Sequence, residues 1–468
     1  PPMSATLTLA GRLATARLAD ARGAGALDAF AVAAYAVAAW LSFVVASGTW
    51  MFVRRREDVP AWLLENGASE APVYTTMYVV LAAMACALLV LPILALGGAA
   101  ARLGARGRAR RLASLRLIGM TGGEVVGMSV VEGLVQAAVG VVLGLLAWGA
   151  CVPLLSLLSF QHAPIGAHEL LMPWWCWLGV IAVILALAAA STVLGLTQVR
   201  ISPLGVTRQQ PSPALRAWRV LALALGVLAV IGLSALMQLP LGGLAMGLTF
   251  AGMLAFTLTM INLFAPWLLQ LIARMGVRTG SPARLLAMRR IVADPRGAWR
   301  NVSSLSLLGV LVGMLAAIPL DNPAFADLDV LSAMLIGDIR NGALLTLAIA
   351  LVVGAASTAL AQGSDVVDRS DELVALDKMG VPPGLDAAVR RHQVVLPLVF
   401  SLGVSLTLGV FAGLPIAMQL PGGFGIGSTG TAILALSVGA ALAMTLLAAE
   451  STRPLRRRVL TAQVRRND

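Results

Sequence analysis

The amino-acid sequence predicts an all-α polytopic membrane protein: ten transmembrane helices, arranged as two parallel-repeat four-helix units joined by two linker helices. Three observations carry this expectation. Ten apolar stretches, at about 27–53, 74–101, 124–150, 174–199, 219–238, 243–273, 301–320, 341–362, 393–418 and 429–449, are each roughly 20 residues or longer. That length crosses a ~30 Å hydrocarbon layer as a helix. Of the 34 basic residues, 30 fall in alternate gaps between the stretches, and only Arg54, Arg55, Arg56 and Arg340 fall in the others. Cationic loops resist translocation, so the bias predicts that both chain ends are cytoplasmic. The third observation is an internal echo at a fixed offset, described below.

Composition narrows the class further. With 59% hydrophobic and 12% charged residues, and no gap between stretches longer than about 30 residues, the chain leaves no room for a sizeable soluble domain. The net charge of +12 reports topology and does not point to nucleic acid. Gaps on the other side carry acids instead, among them Glu57, Asp58, Glu169 and Asp338. Cys86, Cys151 and Cys176 lie in apolar stretches without metal-ligand spacing and read as small packing residues, with no disulfide.

Taken in order, residues 1–26 form a cytoplasmic leader and 27–218 a first four-helix unit. Residues 219–273 supply two linker helices, and 274–468 a second unit with a cytoplasmic tail. An offset of 261 lays Leu112 on Leu373, Leu115 on Leu376, Gly119 on Gly380 and Gly123 on Gly384. Each copy reads as a short helix with apolar residues three apart, stopped by glycine and leading into a long span: a cytoplasmic elbow. The same offset carries Gly140 and Gly144 onto Ser401 and Ser405, so a small-residue face suited to close helix contact recurs. Leu13–Arg17 before the first span echoes Leu285–Arg289 before the seventh, and Ser202-Pro203-Leu204 echoes Arg453-Pro454-Leu455. Six spans separate corresponding helices, so the copies share an orientation and their pseudo-two-fold axis stands along the membrane normal.

The elbow from Arg110 to Thr121, with Glu132 in the following helix, resembles the FtsX/MacB-like permease family of ABC transporters. Two such units separated by two extra helices look like the ten-span bacitracin-efflux type permeases, and the resemblance covers nearly the whole chain. It departs from them in lacking a large extracellular domain, since the gap from Asp321 to Arg340 holds only 20 residues. The resemblance implies a transport subunit of the bacterial cytoplasmic membrane. It would work with a separate cytosolic ABC ATPase dimer, homomeric or heteromeric, that binds ATP and Mg. In such a complex Leu112, Leu115, Arg116, Gly119, Leu373, Leu376, Asp377 and Gly380 would form the ATPase-coupling elbows. Short outer loops point to an amphipathic or lipophilic substrate taken from the bilayer.

The chain itself encodes no nucleotide site and is not expected to be an enzyme: a P-loop needs Gly-Lys-Ser/Thr, and the sole lysine, Lys378, follows Asp377. Glu132 is the carboxylate inside an apolar span. It reads either as a functional intramembrane group or as a partner of an elbow arginine. Arg54, Arg55 and Arg56 read either as an outer-leaflet anion contact or as interfacial arginines balanced by Glu57 and Asp58. His162, His168 and Glu169 share a loop, but their spacing is too weak to define a metal site. Two other classes stay open: a subunit that transmits mechanical strain to an envelope partner, and an ion-driven secondary transporter.

Overall fold

The computed structural model describes residues 24–83, 85–86, 93, 96–98, 100, 121–200, 232, 243–300, 302–317, 329–368, 370–418, 425 and 427–451. Among them, seven helices are long and apolar enough to cross a bilayer, so the chain is a mostly helical, multi-pass membrane protein. In chain order the elements are α1 (Ala24–Glu57), α2 (Ala61–Gly67), α3 (Ala71–Ala83) and α4 (Gly122–Leu155). A small hairpin of β1 (Ser159–Phe160) and β2 (Ala163–Pro164) then precedes α5 (Trp174–Arg200). The rest comprises α6 (Gly243–Gly276), α7 (Pro282–Ala293), α8 (Pro295–Arg300), α9 (Ser304–Ala316), α10 (Val330–Asp368), α11 (Ser370–Lys378), α12 (Pro383–Ala417) and α13 (Ser428–Ser451).

Three expected spans are not among the seven. The stretch at 219–238 lies outside the described residues except for Gly232. Those at 74–101 and 301–320 are described as the shorter apolar helices α3 and α9. The expected eighth span also begins earlier than its charges imply. Helix α10 starts at Val330, so Asp338 and Arg340 sit inside a helix and not in a loop.

Helix α4 opens with a reciprocal cap. The Thr121 hydroxyl receives the Glu124 backbone N–H at 3.4 Å, while Glu124 Oε2 accepts the Thr121 backbone N–H and hydroxyl at 2.9 Å each. These bonds, the backbone one foremost, hold the Glu124 carboxyl below the usual carboxylate range. A depressed folded pKa stabilises the first turn above the unfolded value of about 4.3, and that contribution is lost as pH falls through the folded value. Amide exchange in the first turn of α4, corrected for intrinsic rate, should therefore speed up on acidification below that range. In Glu124→Gln the change should vanish.

Glycine lets two helix pairs approach to backbone contact. A Cβ on Gly140 would lie 2.5 Å from Tyr35 Cβ, and one on Gly144 would lie 2.6 Å from Ala39 Cβ and 2.8 Å from the Ala36 carbonyl oxygen. Helices α1 and α4 therefore run parallel and nearly touch. Trp148 Nε1 fastens the same seam further along by donating to Ser47 Oγ at 3.0 Å. The pair α9 and α12 repeats the geometry: a Cβ on Gly309 would meet Ser405 Cβ at 2.6 Å, and one on Gly409 would strike the Val310 carbonyl oxygen. Among the described residues these two pairs make the most extensive helix contacts. Helices α5 and α13 then pack against them, and α10 bridges to α1, where a Cβ on Gly363 would sit 3.1 Å from the Phe30 ring.

The face of α4 turned to α1 is lined by small residues at Ala137, Gly140 and Gly144, and large apolar residues stand on its outer face. On α4, Val142 and Leu146 are 57% and 65% exposed, while Ala137 is fully buried. A small-residue seam with an exposed apolar outer face suits a lipid surround, where close van der Waals contact between helices replaces the hydrophobic effect as the cohesive force.

Candidate functional site

The densest polar cluster among the described residues lies where the end of α1, the β1–β2 hairpin, α3 and α10 meet. It is built around Arg55, which is 2% exposed. Its Nε and Nη2 donate to Glu169 Oε2 at 3.1 and 2.7 Å. Its Nη1 donates to the Phe160 carbonyl at 2.7 Å and Nη2 to the Pro164 carbonyl at 2.9 Å. One planar guanidinium thus ties both hairpin strands and the following loop to the last turn of α1, which Arg suits because its donors are fixed in a fork. Of the two sequence readings of this arginine cluster, an outer-leaflet anion contact or arginines balanced by acids, the partners of Arg55 are nearer the second, although its acid is Glu169 and not Glu57 or Asp58. Arg54 is exposed and donates to the His168 carbonyl at 2.9 Å, and Arg56 is exposed.

The hairpin tip is strained. Gln161 and His162 have φ of 57° and 54°, in the left-handed region that a two-residue hairpin turn requires and that Asn or Gly usually fills. Each such residue costs about 1–2 kcal/mol. The His162 ring rests on Trp62 with centroids 4.2 Å apart. Gln161 is fully buried, and neither Nε2 nor Oε1 of its carboxamide meets a hydrogen-bond partner among the described residues. A buried unsatisfied polar group costs roughly 1–3 kcal/mol more.

Asp338 of α10 secures this strained tip. Its Oδ2 accepts the Gln161 backbone N–H at 2.6 Å and the Tyr78 hydroxyl at 2.5 Å, and its side chain is largely buried at 8% exposure. Phe52 stacks on Tyr78 with ring centroids 5.4 Å apart and meets Phe160 edge-on at 5.6 Å, which fixes the phenol against the hairpin. Beside it, Leu63, Ala71 and Tyr78 pack with Leu331 and Met334 of α10. Tyr78 and the Gln161 backbone on one side thus meet Asp338 on the other through a single carboxylate oxygen, while the Arg55–Glu169 pair anchors the same hairpin to α1. Sequence reasoning missed this junction because its members are 260 and 177 residues apart.

His162, His168 and Glu169 do not gather as ligands: Glu169 grips Arg55 and His162 stacks on Trp62. Among the described residues no group of three or more His, Cys, Asp or Glu is placed to hold a metal ion. Glu132 is 7% exposed in α4. One turn along, Gln136 Nε2 donates to Asp28 Oδ1 at the start of α1 at 2.8 Å, so polar groups gather at that end of the α1–α4 seam.

The first elbow, with Leu112, Leu115, Arg116 and Gly119, lies outside the described residues. The second is α11 and its turn. Gly380 takes φ +77°, and the Val381 N–H returns to the Leu376 carbonyl at 3.1 Å, the bond that lets a left-handed glycine stop a helix. Arg290 of α7 grips Glu372 at 2.8 Å. Leu373 is 8% exposed and Leu376 half-buried, while Asp377 lies in the last turn of α11. Leu373 is thus packed within the chain, and the apolar group that points outward is Met379, 70% exposed. Comparisons with protein-family models, curated proteins and solved structures find no match for this chain.

Proposed function

We propose that the chain is the membrane subunit of an ABC transporter, driven by ATP and Mg bound in a separate cytosolic ATPase dimer. The more particular reading is a ten-span, two-unit permease of the FtsX/MacB-like kind without a large extracellular domain. It would sit in the bacterial cytoplasmic membrane with both termini inside and move an amphipathic or lipophilic substrate out of the bilayer.

The observation that carries this reading is a repeated seam. Gly144 contacts α1 at Ala36 and Ala39, and Ser405, its counterpart at the offset of 261, contacts α9 at Gly309. The echo that lays Leu13 on Leu285 independently lays Val37, inside the Ala36–Ala39 contact, on Gly309. Two alignments drawn from separate stretches of sequence thus agree with one pair of equivalent helix contacts. Tyr78 and Asp338 support the same duplication: the offset of 261 puts Tyr78 opposite Ile339, so this hydrogen bond joins positions that the duplication makes nearly equivalent. A twinned helical body with no nucleotide site of its own calls for an outside motor, and α11, stopped by Gly380 before α12, is a short lever suited to receive it.

The test is co-expression with an ATPase encoded beside the gene, followed by affinity purification and reconstitution into vesicles. Copurification, ATPase activity raised several-fold by the permease and ATP-dependent movement of a fluorescent amphiphile are the expected results. ATPase stimulation without movement would favour mechanical transmission. Movement driven by an ion gradient with no copurifying ATPase would overturn the reading.

A further inference from the structure

We propose that Asp338 is a spring-loaded latch that closes this end of the membrane body and whose release separates α10 from α3 and the hairpin. The proposal rests on two features of one junction that act in opposite senses. The closing force is a carboxylate oxygen shared by the Tyr78 hydroxyl at 2.5 Å and the Gln161 N–H at 2.6 Å, bonds strengthened by the acceptor's charge and by their removal from water. The opening force is stored in the hairpin tip, where Gln161 and His162 hold left-handed backbone and the buried Gln161 carboxamide has no partner among the described residues. Withdrawal of the tip would relax both backbone angles and hydrate the amide.

The opposition needs a fixed base, which Arg55 supplies. By gripping Glu169 and the Phe160 and Pro164 carbonyls, it keeps the hairpin stem on α1, so the strain cannot dissipate by peeling the whole loop away. Of the hairpin, the tip is what bonds the carboxylate, through the Gln161 N–H. The proposal assigns this junction two arrangements, the latched one described above and one with the tip withdrawn, which is the requirement for a switch. Within the transporter reading above, the latch would be the barrier that closes the hairpin end between substrate movements.

The chain alone tests the proposal, in nanodiscs, with Cys86, Cys151 and Cys176 replaced and a cysteine pair installed by Gly67→Cys and Leu331→Cys. A Cβ at Gly67 would lie 3.3 Å from Leu331 Cγ, so a disulfide at this seam reports closure. Asp338→Leu should slow cross-linking at least roughly tenfold, in line with loss of a charged acceptor. Tyr78→Phe should slow it less, and Asp338→Asn, which keeps an oxygen acceptor, should fall between Asp338→Leu and the parent. Gln161→Gly keeps the N–H while removing the orphan amide and the backbone strain at that position, so it should cross-link faster than the parent. Unchanged rates in Asp338→Leu and Tyr78→Phe, or a slower rate in Gln161→Gly, would overturn the latch. If Asp338→Leu does not fold, Tyr78→Phe and Gln161→Gly, which move the rate in opposite directions, decide the matter. Adding the ATPase with ATP is a separate arm: the expected variant order without any ATP effect would support the latch and count against the ATPase reading.

Discussion

Arg55→Ala should lower the stability of the folded chain by about 3–5 kcal/mol, the cost of breaking a buried ion pair by deleting one partner. Most of that loss is expected to come from what the substitution strands. Glu169 would remain as a carboxylate at 21% exposure with its cation gone, and the Phe160 and Pro164 carbonyls would lose their donors. Lysine should not rescue the site, because one ammonium cannot reach a carboxylate and two carbonyls in the directions a guanidinium does. A double variant, Arg55→Met with Glu169→Leu, should recover part of the loss, since it leaves no ion without its counter-ion while the Phe160 and Pro164 carbonyls still lack their Arg55 donors. Thermal unfolding followed by size-exclusion chromatography in one detergent ranks the three proteins. A single variant within about 1 kcal/mol of the parent would mean that the pair behaves as an exposed one.

Gly144→Leu should be comparably damaging, by about 3 kcal/mol, through overpacking. Its Cβ would press on Ala39 Cβ at 2.6 Å and on the Ala36 carbonyl oxygen and Trp40 nitrogen at 2.8 Å, all of them rigid helix positions. The backbones of α1 and α4 would have to part, which would also stretch the Trp148–Ser47 hydrogen bond. Tryptophan fluorescence and the yield of monodisperse protein report this directly. Gly149 is the control: a Cβ there meets nothing within 4 Å, so Gly149→Ala should be tolerated or mildly stabilising as helix propensity dictates. Equal damage at both positions would remove close helix approach as the explanation.

How legible these features were in the sequence depends on the distance over which they act. Long apolar runs are local, and α1, α4, α5, α6, α10, α12 and α13 fall on seven of the ten predicted stretches. The helix-stopping role of Gly380 is local too, and its φ of +77° agrees with the predicted end of the elbow helix. Gly144 and Ser405 were found by offset, and both face the helix that their small size suits. The polar junction was not found. Asp338 looked like a loop residue because an acid among apolar residues is costly unless paired, and its partners Tyr78 and Gln161 come from distant parts of the chain. Arg55 looked like one of three equivalent arginines, yet only its position on α1 turns it inward. Leu373 and Leu376 have the apolar spacing of a docking face, but spacing alone does not say whether a short helix turns that face outward or toward its own neighbours.

Helix α10 runs for 39 residues without interruption, about 58 Å at 1.5 Å per residue, nearly twice the ~30 Å thickness of bilayer hydrocarbon. Asp338 sits near its first turns, and α11 follows within two residues of its end. One helix therefore carries Asp338 near one tip and leads to α11 at the other, so any coupling between the two junctions would be reciprocal: a bias at the tip beside Tyr78 that moved α11 would be matched, in free energy, by the effect of a bias at α11 on that tip.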